Sequence, residues 1–143
     1  MKLVKESVAI VIRNPEHRAG FLVVKRPDND PDIPSVWELP AASLKKGETY
    51  EDAAHRCAQE KLGVKISLGR LVDEGSLEKG DHTQHMKEYE ASIEEGIPLV
   101  PQPHAGMTQY TQWKWGDPET LIEAAQKGSL CSRLYLGSID RTW

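Results

Sequence analysis

Several features that define large classes of proteins are missing from this 143-residue sequence. It has only two cysteines, Cys57 and Cys131, which are too few for a disulfide framework and do not have zinc-ligand spacing. Lysine and arginine number 18 against 22 acidic residues, so the net charge of −4 gives no basic footprint for duplex nucleic acid. No apolar run is long enough to cross a bilayer, and no signal-peptide pattern opens the chain. We therefore expect a cytoplasmic protein with neither a membrane nor a duplex nucleic-acid partner.

The composition is that of an ordinary globular protein. Hydrophobic residues make up 38% and charged residues 28% of the chain. The length suits one hydrophobic core and leaves little room for a second, so we expect a single domain over residues 1–143. No internal repeat or low-complexity tract occurs. The oligomeric state cannot be read from these features.

Predicted strands and helices alternate along the chain. The segment 5–13 is nearly continuous in Val, Ala and Ile, which is typical of a central strand covered on both faces. Further strands are predicted at 20–26 (as a neighbour of the first strand), 65–78, 82–93 and 109–115, and helices at 50–62, 118–127 and 130–137. The proline-rich segment 95–107 is predicted to be irregular. Strands with a helix between them and helices at the end fit an α/β/α sandwich with a mixed sheet.

The helix predicted at 50–62 has clear start and stop signals. Thr49 can accept a hydrogen bond from a free backbone N–H at the helix start, and Gly63 is a typical left-handed stop. Small residues, including Cys57, share one face, which allows the helix to lie close to a sheet. A free cysteine on such a face is usually a packed residue, although a thiolate or metal-ligand role stays open.

A polar edge runs beside this small-residue face. Arg56 and Glu60 are one helical turn apart and within reach of Glu48 in the preceding loop. An isolated Arg–Glu pair on a helix would be a solvated ion pair, worth only about 0.3–0.5 kcal/mol. The three charged residues together predict a loop held against a helix, with Arg56 fixing Glu48 in place.

The segment resembles the Nudix box, G-x5-E-x7-R-E-U-x-E-E-x-G-U with U aliphatic. The matching positions are Glu48, Arg56, Glu60, Gly63 and Val64. The preceding Trp-Glu-Leu-Pro at 37–40 is also similar to the family's lead-in. The resemblance implies a Nudix-like α/β/α sandwich and a hydrolase that cleaves nucleoside diphosphates linked to another group.

The box is degenerate at three positions. Ala42 stands where the family has glycine, and Cys57 and Lys61 stand where it has two glutamates of the catalytic helix. In the family these glutamates carry metal ions, and hard cations such as Mg²⁺ and Mn²⁺ require oxygen ligands. The resemblance therefore implies weak Mg²⁺ or Mn²⁺ binding, with Glu48 and Glu60 as the remaining ligands from the box.

Residues outside the box complete the candidate site. Lys25 and Arg26 end the second predicted strand, where Nudix proteins often place a basic residue that meets substrate phosphate; a solvated strand end is the alternative. Glu90 is our choice for a further metal ligand, because Nudix enzymes sometimes draw a carboxylate from outside the box. Trp113 and Trp115 could stack on a base, but burial in the core is the more common fate.

Two functions are compatible with these residues. The first is a divalent-metal-dependent Nudix hydrolase of a nucleoside diphosphate derivative, with weakened or altered activity and with Glu48, Arg56 and Glu60 as catalytic residues. The second is a catalytically inactive Nudix-fold module that binds or senses a small nucleotide or diphosphate ligand. The missing carboxylates favour the second, and the prevalence of activity in the family favours the first, which we prefer.

Overall fold

The computed structural model describes residues 3–103 and 109–143. Those residues form two sheets and three α-helices. The strands are β1 (Leu3–Ile12), β2 (Phe21–Lys25), β3 (Trp37–Glu38), β4 (Ala41–Ser43), β5 (Lys65–Lys79), β6 (His82–Glu95) and β7 (Gln112–Gly116). The helices are α1 (Tyr50–Leu62), α2 (Ile122–Gln126) and α3 (Leu130–Ser138), and a 3₁₀ turn (Pro118–Leu121) precedes α2.

The larger sheet is mixed, as predicted. Its order is β4-β1-β6-β5, with β1 parallel to β6 and the other two pairs antiparallel. The smaller sheet, β3-β2-β7, is antiparallel. The prediction that the second strand lies beside the first was wrong: β2 joins the smaller sheet and reaches the end of β1 only through the Arg13–Phe21 bridge. β6 pairs along the whole of one edge of β1 and β4 pairs with residues 7–9 on the other edge, whereas β2 pairs with β3 and β7.

Helices cover both faces of β1, which confirms the α/β/α sandwich. Val8, Ile10 and Ile12 belong to the cluster that packs on α1, whereas Ala9 and Val11 belong to the cluster that packs on α2 and α3. All five are fully buried. This alternation follows from the two-residue period of a strand, and it explains why β1 is apolar at consecutive positions.

The start and stop signals of α1 act as predicted. Thr49 Oγ1 accepts a hydrogen bond of 3.0 Å from the backbone N–H of Asp52, and Gly63 ends the helix with a left-handed φ of 70°. The small-residue face, including Ala53 and Cys57, is buried against the sheet. The helix therefore presents its other edge, with Arg56, to the loop before it.

Other predicted boundaries shift in the structure. The strand predicted at 109–115 begins only at Gln112, and the helix predicted at 118–127 is divided into the 3₁₀ turn and α2. Asp117 caps that turn by accepting from the Thr120 backbone N–H at 3.2 Å. Of the segment predicted to be irregular, residues 104–108 lie outside the described residues. No described helix has the length and apolar character needed to cross a membrane.

Candidate functional site

Arg56 brings the loop carboxylate and the helix carboxylate together. Its Nε and Nη2 donate to the two oxygens of Glu48 at 2.8 and 2.9 Å, and its Nη1 lies 3.5 Å from Glu60 Oε2. A further hydrogen bond of 2.7 Å joins Nη2 to the carbonyl oxygen of Ser43 at the end of β4. Three of the predicted site residues are thus assembled in one place.

Glu48 is a firmly ionised carboxylate. Hydrogen bonds from Arg56 lower its pKa to about 2, with help from the backbone N–H of Lys45, which donates to Oε1 at 2.9 Å. Both oxygens are therefore engaged by donors that fold the loop back on itself. Glu60 is more exposed, at 35%, and Lys45 Nζ lies 3.9 Å from its Oε1. The two carboxylates thus face two cations at close range.

The structure decides between the alternatives for Cys57. The side chain is 1% exposed and packs among the alanines of α1 against the sheet. Burial raises the pKa of the thiol, whereas a nucleophile or metal ligand needs the thiolate. Cys57 is therefore a packed core residue.

Lys61 reaches from α1 to the start of β4, the edge strand of the larger sheet. Its Nζ donates a hydrogen bond of 2.6 Å to the carbonyl oxygen of Ala41, which is 20 residues earlier in the chain. The same ammonium lies 5.3 Å from the centre of the Tyr110 ring. Tyr110 is itself fixed, because its hydroxyl accepts from the Ala41 backbone N–H at 3.0 Å. A positive charge is therefore held at a defined point beside β4.

Arg26 and Glu38 face the same region from the smaller sheet. Arg26 donates to both oxygens of Asp30 at 3.0 and 2.9 Å, and its Nη1 donates to Glu38 Oε1 at 3.1 Å. Glu38 is only 4% exposed, and its other oxygen accepts from the hydroxyl of Ser129 at 3.3 Å. Burial raises the pKa of Glu38, although the charge of Arg26 opposes the shift.

A cavity of about 130 Å³ joins these groups. Arg26, Glu38, Lys61 and Tyr110 line it together with residues of β1, β4 and β6. Through Ser7, Ser43 and Gln84 it adjoins an outer cavity of about 470 Å³. The inner cavity has room for several waters or one phosphate group, and the outer one falls within the size range of small-molecule sites.

Two of the predicted site residues lie elsewhere. Glu90 pairs with Val11 on the face that α3 covers, so it is on the opposite side of the sheet from α1. There it is held by Arg13 at 2.9 Å and Arg70 at 3.4 Å. The structure therefore does not bring Glu90 to the other proposed metal ligands. Lys25 is the last residue of β2 and directly precedes Arg26, so by strand alternation its side chain points to the other face.

The side chains around α1 do not fit a divalent cation well. Glu48 and Glu60 supply two negative charges, but Arg56, Lys45 and Lys61 bring three positive charges to the same segment. No group of three or more His, Cys, Asp or Glu side chains suited to a metal ion occurs among residues 3–103 and 109–143. A hard cation needs several oxygen donors that are free to coordinate it.

Sequence reasoning missed the residues that come from short strands. Glu38 lies in the two-residue strand β3, and the Ala41 carbonyl lies in the three-residue strand β4. Segments of this length show no hydrophobic period that could reveal them. The one available signal was the Trp-Glu-Leu-Pro lead-in, in which a glutamate stands beside three apolar residues.

Comparisons with known proteins agree on one family. The NUDIX domain family model matches residues 4–130. An uncharacterized Nudix hydrolase of Listeria monocytogenes serovar 1/2a is 42% identical over 52 residues, which cover 36% of this chain. The match spans 31% of the length of that curated relative.

Solved structures resemble the chain along almost its whole length. A MutT NUDIX hydrolase from Burkholderia pseudomallei has a TM-score of 0.76 at 19% identity, covering 96% of this chain and 99% of that one. An Ap4A hydrolase from C. elegans, solved as a binary complex, has a TM-score of 0.69 at 19% identity, covering 95% of each chain. At such identities the likeness shows a shared fold.

Proposed function

The chain belongs to the NUDIX domain family, and from that premise we propose that it hydrolyses a phosphoanhydride bond in a small nucleoside diphosphate derivative. The observation that carries this proposal is the inner cavity, where Arg26 and Lys61 meet the buried carboxylate of Glu38. Two cations that face one carboxylate in a confined space suit a phosphate group and an attacking water. The outer cavity of about 470 Å³ supplies room for the rest of the ligand.

Arg26 and Lys61 bind the phosphate oxygens in this proposal. Two hydrogen bonds to Asp30 and one to Glu38 fix the guanidinium of Arg26 at the cavity wall. Fixed positive charges stabilise the charge that gathers on the phosphoryl and leaving oxygens, and they require little reorganisation during the reaction.

Glu38 is the candidate general base. It is the single carboxylate among the side chains that line the inner cavity, and burial raises its pKa toward the range in which a carboxylate can accept a proton. A water held by Glu38 attacks phosphorus, its proton passes to the carboxylate, and the anhydride P–O bond breaks. The leaving phosphate oxygen takes the electron pair beside the two cations.

The charged cluster on α1 positions this machinery. Arg56 ties Glu48 to Glu60 and also holds the Ser43 carbonyl, so it links the box loop, α1 and the end of β4. Ser43 and Lys61 line the cavity. We propose that Glu48, Arg56 and Glu60 act mainly by fixing this wall, with Glu60 the most accessible of the three.

Nudix hydrolases generally use divalent metals. We propose that Mg²⁺ and Mn²⁺ bind this chain weakly at α1, because the positive charges of Arg56 and Lys61 oppose them and Glu48 is already engaged. The roles proposed for Glu38, Arg26 and Lys61 do not depend on such an ion. Both cysteines are free and buried, which supports a reducing, cytoplasmic setting.

A hydrolysis screen tests the proposal. The panel contains dinucleoside tetraphosphates, suggested by the C. elegans neighbour, together with nucleoside diphosphate sugars and nucleoside triphosphates. Products are separated by ion exchange after incubation with Mg²⁺, with Mn²⁺ or with EDTA. We expect slow turnover of at least one substrate.

Matched variants identify the base. Glu38→Gln should reduce kcat by about 100-fold or more, the usual contribution of general base catalysis. Glu123→Gln, an exposed position on α2, makes the same chemical change and should leave kcat unchanged. Glu60→Gln serves as a second comparison within the box. Absence of turnover across the panel would contradict the hydrolase, and full activity of Glu38→Gln would contradict the role of this carboxylate.

A further inference from the structure

Lys61 has an unusual setting for a lysine at the end of a surface helix. Its Nζ is fixed at two points, by the Ala41 carbonyl at 2.6 Å and above the Tyr110 ring at 5.3 Å. Lysines on exposed helix surfaces normally extend into water and change conformation freely. Here the ammonium is held at the wall of the inner cavity, at a box position where the family has a carboxylate.

The charge of Glu38 acts on this ammonium across the cavity, but the two groups are not in ion-pair contact. Within the part of the chain that the structure describes, Lys61 makes no ion pair, while the acid of the cavity, Glu38, already holds Arg26 at 3.1 Å. Two cations and one carboxylate therefore line the same 130 Å³ space. Arg26 is also paired with Asp30, so Lys61 is the cation of the lining that has no ion pair among the described residues, and a partly desolvated cation without an ion pair favours an anion.

We propose that Lys61 is a built-in cation that, together with Arg26, binds the diphosphate group of the ligand without a divalent metal. The inference rests on the proposed function for the nature of the ligand, and it concerns binding rather than turnover. The lysine supplies one fixed positive charge where a box carboxylate would recruit a metal ion.

If Lys61 has this role, Mg²⁺ should not strengthen nucleotide binding. A site that recruits metal binds a nucleotide more tightly when Mg²⁺ is present. A site with its own ammonium competes with Mg²⁺ for the same phosphate oxygens, so Mg²⁺ should leave the affinity unchanged or lower it. Binding should also weaken with salt, since both partners carry charge.

Calorimetric titration with ADP tests the proposal on the full chain. The parent is measured in EDTA and in Mg²⁺ at matched ionic strength, and we expect ADP to bind in EDTA at least as tightly as in Mg²⁺. Lys61→Met removes the charge at similar size and should weaken binding in EDTA by about 10- to 100-fold, the usual worth of a hydrogen bond to a charged group. Lys61→Arg should retain most of the affinity.

Lys65→Met is the matched control, because Lys65 is an exposed lysine just after α1 and outside the cavity. It should bind ADP as the parent does. Binding that occurs only with Mg²⁺, no binding in either condition, or parent-like binding by Lys61→Met would each overturn the inference. If Lys61→Met fails to fold, the comparison of the parent in EDTA and Mg²⁺ decides alone.

The two proposals fail separately. ADP binding in EDTA with no turnover in the hydrolysis screen would overturn the hydrolase and support the built-in cation. Turnover and ADP binding that both require Mg²⁺ would support the hydrolase and overturn the built-in cation.

Discussion

The guanidinium of Arg56 holds both oxygens of Glu48, with Nε and Nη2 at 2.8 and 2.9 Å. The two side chains are only 19% and 14% exposed, and the contact joins α1 to the loop before it. Paired donors that match a carboxylate in this way are stronger than a single hydrogen bond. The relationship fixes the wall of the inner cavity, and it can be tested through stability.

Arg56→Ala should destabilise the fold. It leaves Glu48 partly buried and without its main partner, which costs about 1–3 kcal/mol. For a chain of this length the loss corresponds to a drop in melting temperature of about 3–10 °C, measured by circular dichroism. Arg70→Ala, which removes a mostly exposed arginine near Glu90, should change the melting temperature little. An Arg56→Ala protein that melts like the parent would show that the pairing contributes nothing.

Glu48 gives this contribution a pH dependence. Its pKa is lowered to about 2 in the folded protein, from 4.5. Its contribution is therefore present above about pH 4.5 and is lost as pH falls toward 2. Urea unfolding of the parent and of Glu48→Gln should differ by on the order of 2 kcal/mol at pH 7, and the difference should shrink between pH 5 and pH 3. A difference that stays constant over this range would contradict the assigned ionisation.

The contribution of Glu88 to stability should depend on pH in the opposite direction. Both of its carboxylate oxygens are buried without a hydrogen-bond partner among the described residues, and burial raises its pKa well above the usual value. The folded state therefore holds a proton that the unfolded chain releases above about pH 4.5, so the stability contribution of Glu88 falls as pH rises. Glu88→Met should stabilise the protein by about 1–3 kcal/mol at pH 8 and by less at pH 5.

The control for this prediction lies on the same strand. Glu94→Met makes the same chemical change at an exposed position of β6 and should not alter the pH dependence of unfolding. Chemical denaturation across pH 5–8 measures both variants. If Glu88→Met is less stable than the parent by the same amount at all pH values, the carboxyl group of Glu88 stabilises the folded state and the prediction is wrong.

The part of the fold that sequence predicts best is the part with local signals. Thr49 and Gly63 delimit α1 within the chain itself, so its bounds agree with the prediction. The sheet that contains β2 could not be predicted, because strand pairing depends on which edges of β1 remain free. The placement of Glu90 is similar: its face follows from its register with Val11, which is 79 positions away.

The residues of the candidate site likewise differ in whether local sequence signals predict their contacts. Glu48, Arg56 and Glu60 lie within one loop and one helix, so their spacing predicts their contact. The partners of Lys61 are Ala41 in β4 and Tyr110, two residues before β7. No local sequence pattern links either residue to α1. Lys61 stands where the Nudix box has a glutamate, and in the folded chain its ammonium contacts the Ala41 carbonyl.

Both thiols should be unreactive in the folded protein. Cys57 and Cys131 are almost fully buried, and burial raises the pKa of each thiol, so the reactive thiolate is scarce at pH 7.5. We expect Ellman's reagent to modify neither in native buffer and both in guanidinium. Lys127→Cys places a thiol at an exposed position and should react at once. Rapid modification of Cys57 in the native parent, located by peptide mapping, would contradict its packed role.

Restoring carboxylates on α1 should create a metal site. Lys61→Glu replaces a positive charge by an oxygen donor, so the set of Lys45, Glu48, Arg56, Glu60 and residue 61 changes from two acids and three cations to three acids and two cations. Mn²⁺ binding, followed by electron paramagnetic resonance, should tighten by about tenfold or more, equivalent to about 1.4 kcal/mol. Adding Cys57→Glu should tighten it further but lower the melting temperature, because residue 57 is buried.

The Lys65→Glu variant distinguishes coordination of the metal ion by a new carboxylate from the effect of the change in net charge. It produces the same charge reversal just beyond α1, at an exposed position, where screening by salt leaves little effect on an ion at Glu60. If Lys65→Glu tightens Mn²⁺ binding as much as Lys61→Glu does, net charge rather than coordination explains the gain. Tight Mg²⁺ binding by the parent would contradict the prediction more directly, because it requires oxygen donors at a place other than α1. The expected order of Mn²⁺ affinities, from tightest to weakest, is the double variant, then Lys61→Glu, then Lys65→Glu and the parent together. This order requires that a carboxylate at position 61 coordinates the ion.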